Sequence, residues 1–321
     1  MIETLIKKEV LEIKRKIKDT SPIAIQLPEG LKQYSLLILD LFKNNSPILF
    51  VDPTYGACDL KDKIAKELNC KLLIHFGHEK IGKPAIKTIF VPLKYNLNSS
   101  QIDFVIKEIK KLNFPKINIA TTTQYLDNIN LIIKKLNLEK IIVEKSSKTN
   151  RLQKHMILGC NCESIQKNNY PIVFIGDGAF HPNNLAFINN KEIYLIDALS
   201  KKTSVISKDN IFIKKRYAVI SSCINAKSFG ILVSSKFAQN RLNKAFEIKK
   251  LLEKNGKKAF IFVSDYIKDE YLLGIKVDCF INSGCPRITY DDYNSFSKPL
   301  LAISEVELLF NLEKELKIDQ I

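Results

Sequence analysis

The stretch "PIVFIGDG", Pro171–Gly178, runs four consecutive apolar residues into a Gly-Asp-Gly turn. A β-branched run with no polar alternation marks a strand buried on both faces. Such a strand needs helices above and below it, which implies a parallel sheet. The glycines open the loop at the strand's carboxyl end, the edge where parallel α/β sheets bind their ligands.

The same layout recurs along the chain. The first unit offers "IAIQLP" (23–28), the helical pattern "LKQYSLLILDLFK" (31–43), "ILFVD" (48–52), "KLLIHF" (71–76) and "TIFVPL" (88–93). The second offers "INIATTT" (117–123), the helical "NINLIIKKLN" (128–137), "KIIVEK" (140–145), "PIVFIGDG" and "EIYLIDA" (192–198). The third offers "FGILVSS" (229–235), the helical "RLNKAFEIKKLLEK" (241–254), "KAFIFVS" (258–264), "DCFINSG" (278–284) and "KPLLAIS" (298–304). The units start roughly 95 to 115 residues apart and share a layout rather than residues. The expected fold is α/β: three similar parallel-sheet α/β domains, residues 1–108, 109–210 and 211–321. Linkers are expected near Asn98–Lys111 and Ile206–Lys227. In the latter, Tyr217, Ile220 and Ile224 lie at i, i+3 and i+7, the spacing of a helix with one apolar face.

The bulk composition bounds the function classes. The chain has 321 residues, 45% of them hydrophobic, enough for a large core. No run of ~18 uncharged apolar residues offers a membrane span. The start, "MIETLIKKEVLEIKRKIKDT", reads as a charged amphipathic helix rather than a secretory signal, so a cytoplasmic protein is expected. The net charge of +16 favours acidic partners. Its lysines are scattered along helices with no RNA-recognition signature, which argues against nucleic acid as a direct ligand.

Seven cysteines, an odd number in an intracellular setting, argue against a disulfide framework, and no CxxC pair supports a zinc ribbon. Their positions sort by setting. Cys58, in "VDPTYGACDLKD", follows the strand "ILFVD", and Cys285 follows "CFINSG". Cys160 and Cys162, in "HMILGCNCES", lie on a loop of the second unit. Cys70, Cys223 and Cys279 sit within helix or strand patterns and read as small core residues. Each unit thus places a cysteine, or a pair, in a loop. Three sheets facing a common centre would gather three thiolates. That set suits an iron–sulfur cluster better than zinc, with one iron left open to substrate.

These segments carry a family resemblance. "IQLPEGL" (25–31), "DPTYGACD" (52–59), "LGCN" (158–161), "FIGDGAFHP" (174–182), "FGILVSSKFAQNR" (229–241) and "INSGCPR" (281–287) occur in order along nearly the whole chain. Together they resemble the archaeal-type diphthamide biosynthesis enzymes, the 2-(3-amino-3-carboxypropyl)histidine synthases. The resemblance implies three α/β domains around a pseudo-threefold centre, each giving one cysteine to a [4Fe–4S] cluster. It implies a homodimer, an electron donor, and S-adenosylmethionine as substrate, cleaved at the methionine Cγ–S bond. The 3-amino-3-carboxypropyl radical would then add to a histidine of elongation factor 2. Cys58, Cys160 and Cys285 are the implied ligands. Cys160 is preferred over Cys162 because it completes "LGC", with exchange of the ligand to Cys162 as the alternative.

Substrate-binding candidates follow from position at strand ends. Asp177, between Gly176 and Gly178, suits a ribose or an ammonium group, with a turn bearing a helix N-cap as the plain alternative. His181 precedes Pro182, so extended or turn backbone is expected there. Lys236, Gln239 and Arg241 suit a carboxylate or the target loop. Asp59 adjoins Cys58. Glu29 and Gly30 are weaker candidates, and His75 and His78 lack a thiol or acidic partner in sequence. A quinolinate synthase-like cluster enzyme acting as a Lewis acid, a non-catalytic partner subunit and a basic RNA-binding module are the competing readings.

Overall fold

The computed structural model describes residues 2–207 and 210–321. The chain divides into two compact units: residues up to Asn96 joined by Lys236–Ala238, and Leu97–Ser235 with Gln239–Ile321.

In the first unit, α1 (Ile2–Ile17) buries Ile6, Val10, Ile13 and Ile17, a single stripe at helical spacing. The strands β1 (Ile23–Gln26), β2 (Pro47–Phe50), β3 (Leu72–Phe76) and β4 (Thr88–Val91) form a parallel sheet in the order β2-β1-β3-β4. The short helices α2 (Ser35–Leu41) and α3 (Asp62–Glu67) connect them. Central β1 and β3 are buried at every position, as their unbroken apolar runs require. Gln26 pairs with His75 at the carboxyl end of this sheet.

The second unit opens with α4 (Ser99–Lys111), started by a reciprocal capping box between Asn98 and Gln101. This segment, expected as a linker, buries Ile102, Val105, Ile106 and Ile109, so it is a packed helix of this unit. A boundary after residue 108 would cut through it; the division falls after Asn96. Strand β5 (Lys116–Thr121), helix α5 (Leu126–Leu138), strands β6 (Ile142–Val143) and β7 (Ile172–Ile175), helix α6 (Phe180–Asn189), and strands β8 (Ile193–Asp197) and β9 (Lys202–Ile206) follow. The sheet order is β6-β5-β7-β8-β9. Strand β9 runs antiparallel to β8, a departure from the all-parallel expectation. It has almost no buried residue, so no apolar run announces it.

The stretch expected as the second linker, Ile206–Lys227, includes Lys208 and Asp209, which lie outside the described residues. From it come α7 (Asn210–Cys223) and then β10 (Ser228–Ser234). Ile220 is buried as its spacing predicts; Ile224 lies just past the helix end. Arg216 on α7 is fully buried, forking onto Glu305 at 2.6 and 2.8 Å and donating to the carbonyls of Leu300 and Thr289. Next come α8 (Leu242–Lys254), β11 (Lys258–Ser264), β12 (Cys279–Asn282), α9 (Pro286–Asp291) and β13 (Leu300–Ala302). Their sheet is parallel, in the order β11-β10-β12-β13. Each sheet therefore places its own second strand beside its first, then its third and fourth. The repeated layout in the sequence is a repeated strand order in the fold.

Candidate functional site

The seven cysteines separate by burial. Cys58, Cys160 and Cys285 are half-buried, whereas Cys70, Cys162, Cys223 and Cys279 are buried.

Cys58 sits at the tip of a turn closed by Asp59 N–H donating to Gly56 O at 3.0 Å. A side chain at Gly56 would begin 3.4 Å from the Cys58 sulfur. The loop is lashed from beneath by Gln26, whose side chain is fully buried at the end of β1. Gln26 Nε2 donates to Asp59 O at 2.6 Å and to Thr54 Oγ1 at 3.2 Å; its Oε1 accepts from Lys61 N–H at 3.2 Å. Because the amide nitrogen must face the Asp59 carbonyl, Oε1 faces His75 Nδ1, 3.2 Å away. His75 therefore carries its proton on Nδ1, and its Nε2 accepts from His78 Nδ1 at 3.0 Å. This chain of donors needs a neutral His75, whose Nε2 must accept. Burial favours the neutral form of both rings, pushing His78 down to about 4; burial, then the charge of His78, holds His75 well below its ordinary value.

Two expected substrate contacts are each other's partners. Lys236 Nζ lies 2.9 Å from Asp59 Oδ1, with side chains 7% and 1% exposed. The Lys236–Ala238 segment belongs to the first unit, where the Phe237 ring fills the space over Gly82. Glu29 makes a surface pair with Lys32 at 2.6 Å, and Gly30 has open space around it.

In the second unit, Leu158 and Asn161 exchange backbone hydrogen bonds of 2.8 and 3.3 Å, so Gly159 and Cys160 form the tip of a two-residue turn. The segment leading to it joins the end of β5 through Ile157 N–H to Thr121 O at 2.9 Å. The Phe180 ring covers Gly159 so closely that a Cβ there would lie 2.3 Å from it. Cys162 instead points into the core among Ala120, Ile172 and Phe174. Burial pushes its thiol up to about 12, against the pull of the nearby Arg287 charge and the Asn184 side chain.

Cys285 is the N-cap residue of α9, with Pro286 at the first helical position. Asn282, at the end of β12, holds the approach: its Nδ2 donates to Cys285 O at 2.8 Å and to Thr289 Oγ1 at 2.9 Å, and its Oδ1 accepts from Gly284 N–H at 2.8 Å. In the first turn of α9, the Arg287 guanidinium lies 4.3 Å from the centre of the Phe180 ring, and Arg287 Nε lies 2.6 Å from Asp291. Phe180 thus stands between the Cys160 turn and the helix that Cys285 caps.

Arg241, expected to hold a substrate carboxylate, has its donors spent on the protein. Nε donates to Ser283 O at 2.7 Å, and Nη2 to Gly284 O at 2.8 Å and Asp319 Oδ2 at 2.6 Å. Nη1 donates to Asp319 Oδ1 at 2.9 Å and Gln320 O at 3.4 Å. Gln239 is buried.

The Gly-Asp-Gly turn ends β7. Gly176 is buried against the Phe174 ring, Asp177 is exposed, and Gly178 takes φ +67°, a left-handed conformation that favours glycine. Asp177 is not the helix cap: α6 begins after Ala179, with no side-chain cap. His181 is helical rather than in the extended or turn backbone expected before proline. It lies in the first turn of α6, where Pro182 forfeits no intrahelical hydrogen bond, and packs edge-on against Phe180 at 5.1 Å.

Sequence reading passed over Gln26, Phe180, Arg287 and Asp319–Ile321, and set His75 and His78 aside for want of a thiol or acidic partner. A lone Gln inside the apolar run "IAIQLP" was a usable signal, since a polar side chain in a buried strand needs partners. Phe180 and Arg287 lie inside the quoted motifs. The last three residues carry no signal. Among the described residues, no three His, Cys, Asp or Glu side chains form a metal-holding group. The expected meeting of Cys58, Cys160 and Cys285 joins residues of both units.

Comparison with known proteins bears on this arrangement. A family model described as "Putative diphthamide synthesis protein" matches residues 27–321. The 2-(3-amino-3-carboxypropyl)histidine synthase of Pyrococcus horikoshii is 34% identical over 326 residues, covering 100% of this chain and 94% of that protein. The enzyme of the same name from Methanocaldococcus jannaschii is 33% identical, over 97% of this chain and 91% of its own. Subunit 1 of the Saccharomyces cerevisiae enzyme is 32% identical over 89% of this chain and 70% of its own. The crystal structures of Dph2 from Pyrococcus horikoshii, one of them with a 4Fe-4S cluster, align with a TM-score of 0.86 over 98% of this chain and 93% of theirs, at 34% identity. With the family model spanning almost the whole chain and relatives of over 30% identity covering nearly all of it, the chain belongs to the diphthamide synthesis family.

Proposed function

We propose that this chain transfers the 3-amino-3-carboxypropyl group of S-adenosylmethionine to a histidine of elongation factor 2, the first step of diphthamide formation. The observation that carries the reading is the sorting of the cysteines. The three at turn tips or a helix cap are the half-buried ones, and the other four are buried. Half-buried thiols on short, well-anchored turns fit a thiolate-ligated cluster, and Cys58, Cys160 and Cys285 would hold a [4Fe–4S] group. Cys162, committed to the core, would not. When bound, the cluster supplies the electron that splits the methionine Cγ–S bond.

The chain's own residues would bind and orient. Gly176 and Gly178 allow close backbone approach, and exposed Asp177 offers a carboxylate to a ribose or an ammonium group. His181 and Gln239 are the further candidates for the substrate pocket. Lys236 and Asp59 enter as a pair, each neutralising the other beneath the Cys58 turn. In this reading the three sheets are three similar domains about a pseudo-threefold centre. The protein works in the cytoplasm as a homodimer, fed by an electron donor.

The test is chromatography of the nucleoside released from S-adenosylmethionine by dithionite-reduced protein, with and without elongation factor 2. Methylthioadenosine is expected, with the aminocarboxypropyl group appearing on the factor. 5′-Deoxyadenosine as the main product would overturn the bond assignment. No nucleoside from a cluster-loaded sample would point to a Lewis-acid enzyme or a non-catalytic subunit.

A further inference from the structure

Residues 319–321 lie in neither helix nor strand, yet they are fastened at both ends of one short span. On one side, Asp319 takes a two-pronged ion pair from Arg241, and that same guanidinium grips the carbonyls of Ser283 and Gly284, immediately before Cys285. Asp319 N–H also donates to Tyr290 OH at 2.7 Å, on the helix that Cys285 caps. On the other side, Gln320 Oε1 accepts from Cys162 N–H at 2.8 Å. Ile321 N–H donates to Cys160 O at 3.2 Å, and its carbonyl accepts from Asn161 Nδ2 at 3.0 Å. The bonds flank Cys160 and Cys285 and run through backbone atoms and the side chains of Arg241, Asp319, Gln320, Asn161 and Tyr290.

We propose that Arg241 and the 319–321 segment form a positioning brace that couples the Cys160 turn to the Cys285 turn. The proposal rests on the reading above that both thiols serve one site. The chemistry suits the task. A planar fork with a carboxylate fixes direction as well as distance, which a lysine cannot do. Multi-ligand sites need their first contacts held to about 0.5 Å, and a turn tip has no ladder of its own to provide that. Arg241 is thus a positioning residue for the reaction rather than a substrate contact.

A brace has a signature that local packing lacks: loosening one end is felt at the other. The measurement is the alkylation rate of each thiol by iodoacetamide, read by peptide mass spectrometry on the reduced, metal-free full chain. Asp319→Asn weakens the end nearer Cys285, and Gln320→Ala weakens the end nearer Cys160. Each is expected to speed both Cys160 and Cys285 by about fivefold, the scale of one ordinary hydrogen bond in a local opening equilibrium, with Cys58 unchanged. Thermal melts verify folding, and Gln320→Ala, the milder change, carries the test should Asp319→Asn fail to fold. Acceleration of the nearer thiol alone, of none, or of all three including Cys58 would overturn the brace. Cross-acceleration in the variants, together with a wild type that binds no iron, would remove the proposed function and keep the brace. Normal iron binding with unchanged rates would do the reverse.

Discussion

The Cys58 turn and the two cysteine turns of the second unit are anchored by different chemistry. Beneath Cys58 the backbone is held by a neutral group, beside the buried Lys236–Asp59 ion pair: one amide, Gln26, ties Thr54, Asp59 and Lys61 together and leans on a neutral His75–His78 pair. Beside Cys160 and Cys285 the fastening is ionic: Arg241 with Asp319 at the turns, and Arg216 with Glu305 deeper in the core. Amides and imidazoles lose little by desolvation when every donor finds an acceptor. Buried ions are costly to leave alone. The two regions should therefore fail differently, and the following experiments sharpen or break that contrast.

The largest effect belongs to the ionic core. Arg216→Ala leaves Glu305 buried without its cation and should cost about 3–5 kcal/mol of stability, measured by urea unfolding. A loss under about 1 kcal/mol would mean that Glu305 neutralises itself and that the ionic description is wrong. Next comes Gln26→Leu, nearly isosteric but unable to bond. It strands Asp59 O, the Lys61 N–H and His75 together, at an expected cost of about 2–4 kcal/mol. An unchanged unfolding midpoint would show that water replaces the amide.

Acid should probe the neutral fastening. The unfolded chain protonates its histidines near 6.5, while the folded pair resists until about 4 at His78. Between those values the unfolded state binds more protons, so stability falls as pH drops, by up to about 1.4 kcal/mol per pH unit for each histidine. His78→Gln should flatten this slope; an equally steep slope in the variant would assign the acid loss elsewhere. The smallest effects are those of Cys70→Ala and Cys279→Ala, each about 1 kcal/mol with activity retained, because both thiols are core residues. Loss of activity without loss of stability in either would upset the sorting of the cysteines.

Much of this was legible in the sequence. The strands that form the sheet interiors announced themselves because burial on both faces demands unbroken apolar runs, and the loop cysteines stood out against that background. Strand β9 escaped because an exposed edge strand obeys no such demand. His75 looked partnerless because Gln26 is 49 residues away. Arg241 looked available for a ligand because Asp319 lies 78 residues further on. Asp59 and Lys236 each read as substrate contacts for the same reason: their pairing is made by the fold, not by spacing. Local pattern encodes elements and their ends. It does not encode which buried charge meets which.

The central claim is that Cys58, Cys160 and Cys285, and not the buried four, hold an iron–sulfur cluster. It is tested most directly by iron and sulfide analysis after anaerobic reconstitution of the wild type and of single Cys→Ala variants at all seven positions. The account predicts about four irons per chain in the wild type and a loss of at least about half in Cys58→Ala, Cys160→Ala and Cys285→Ala, with Cys70→Ala, Cys162→Ala, Cys223→Ala and Cys279→Ala at the wild-type level. Wild-type iron in any of the first three, or its loss in Cys162→Ala with Cys160→Ala unaffected, would contradict it.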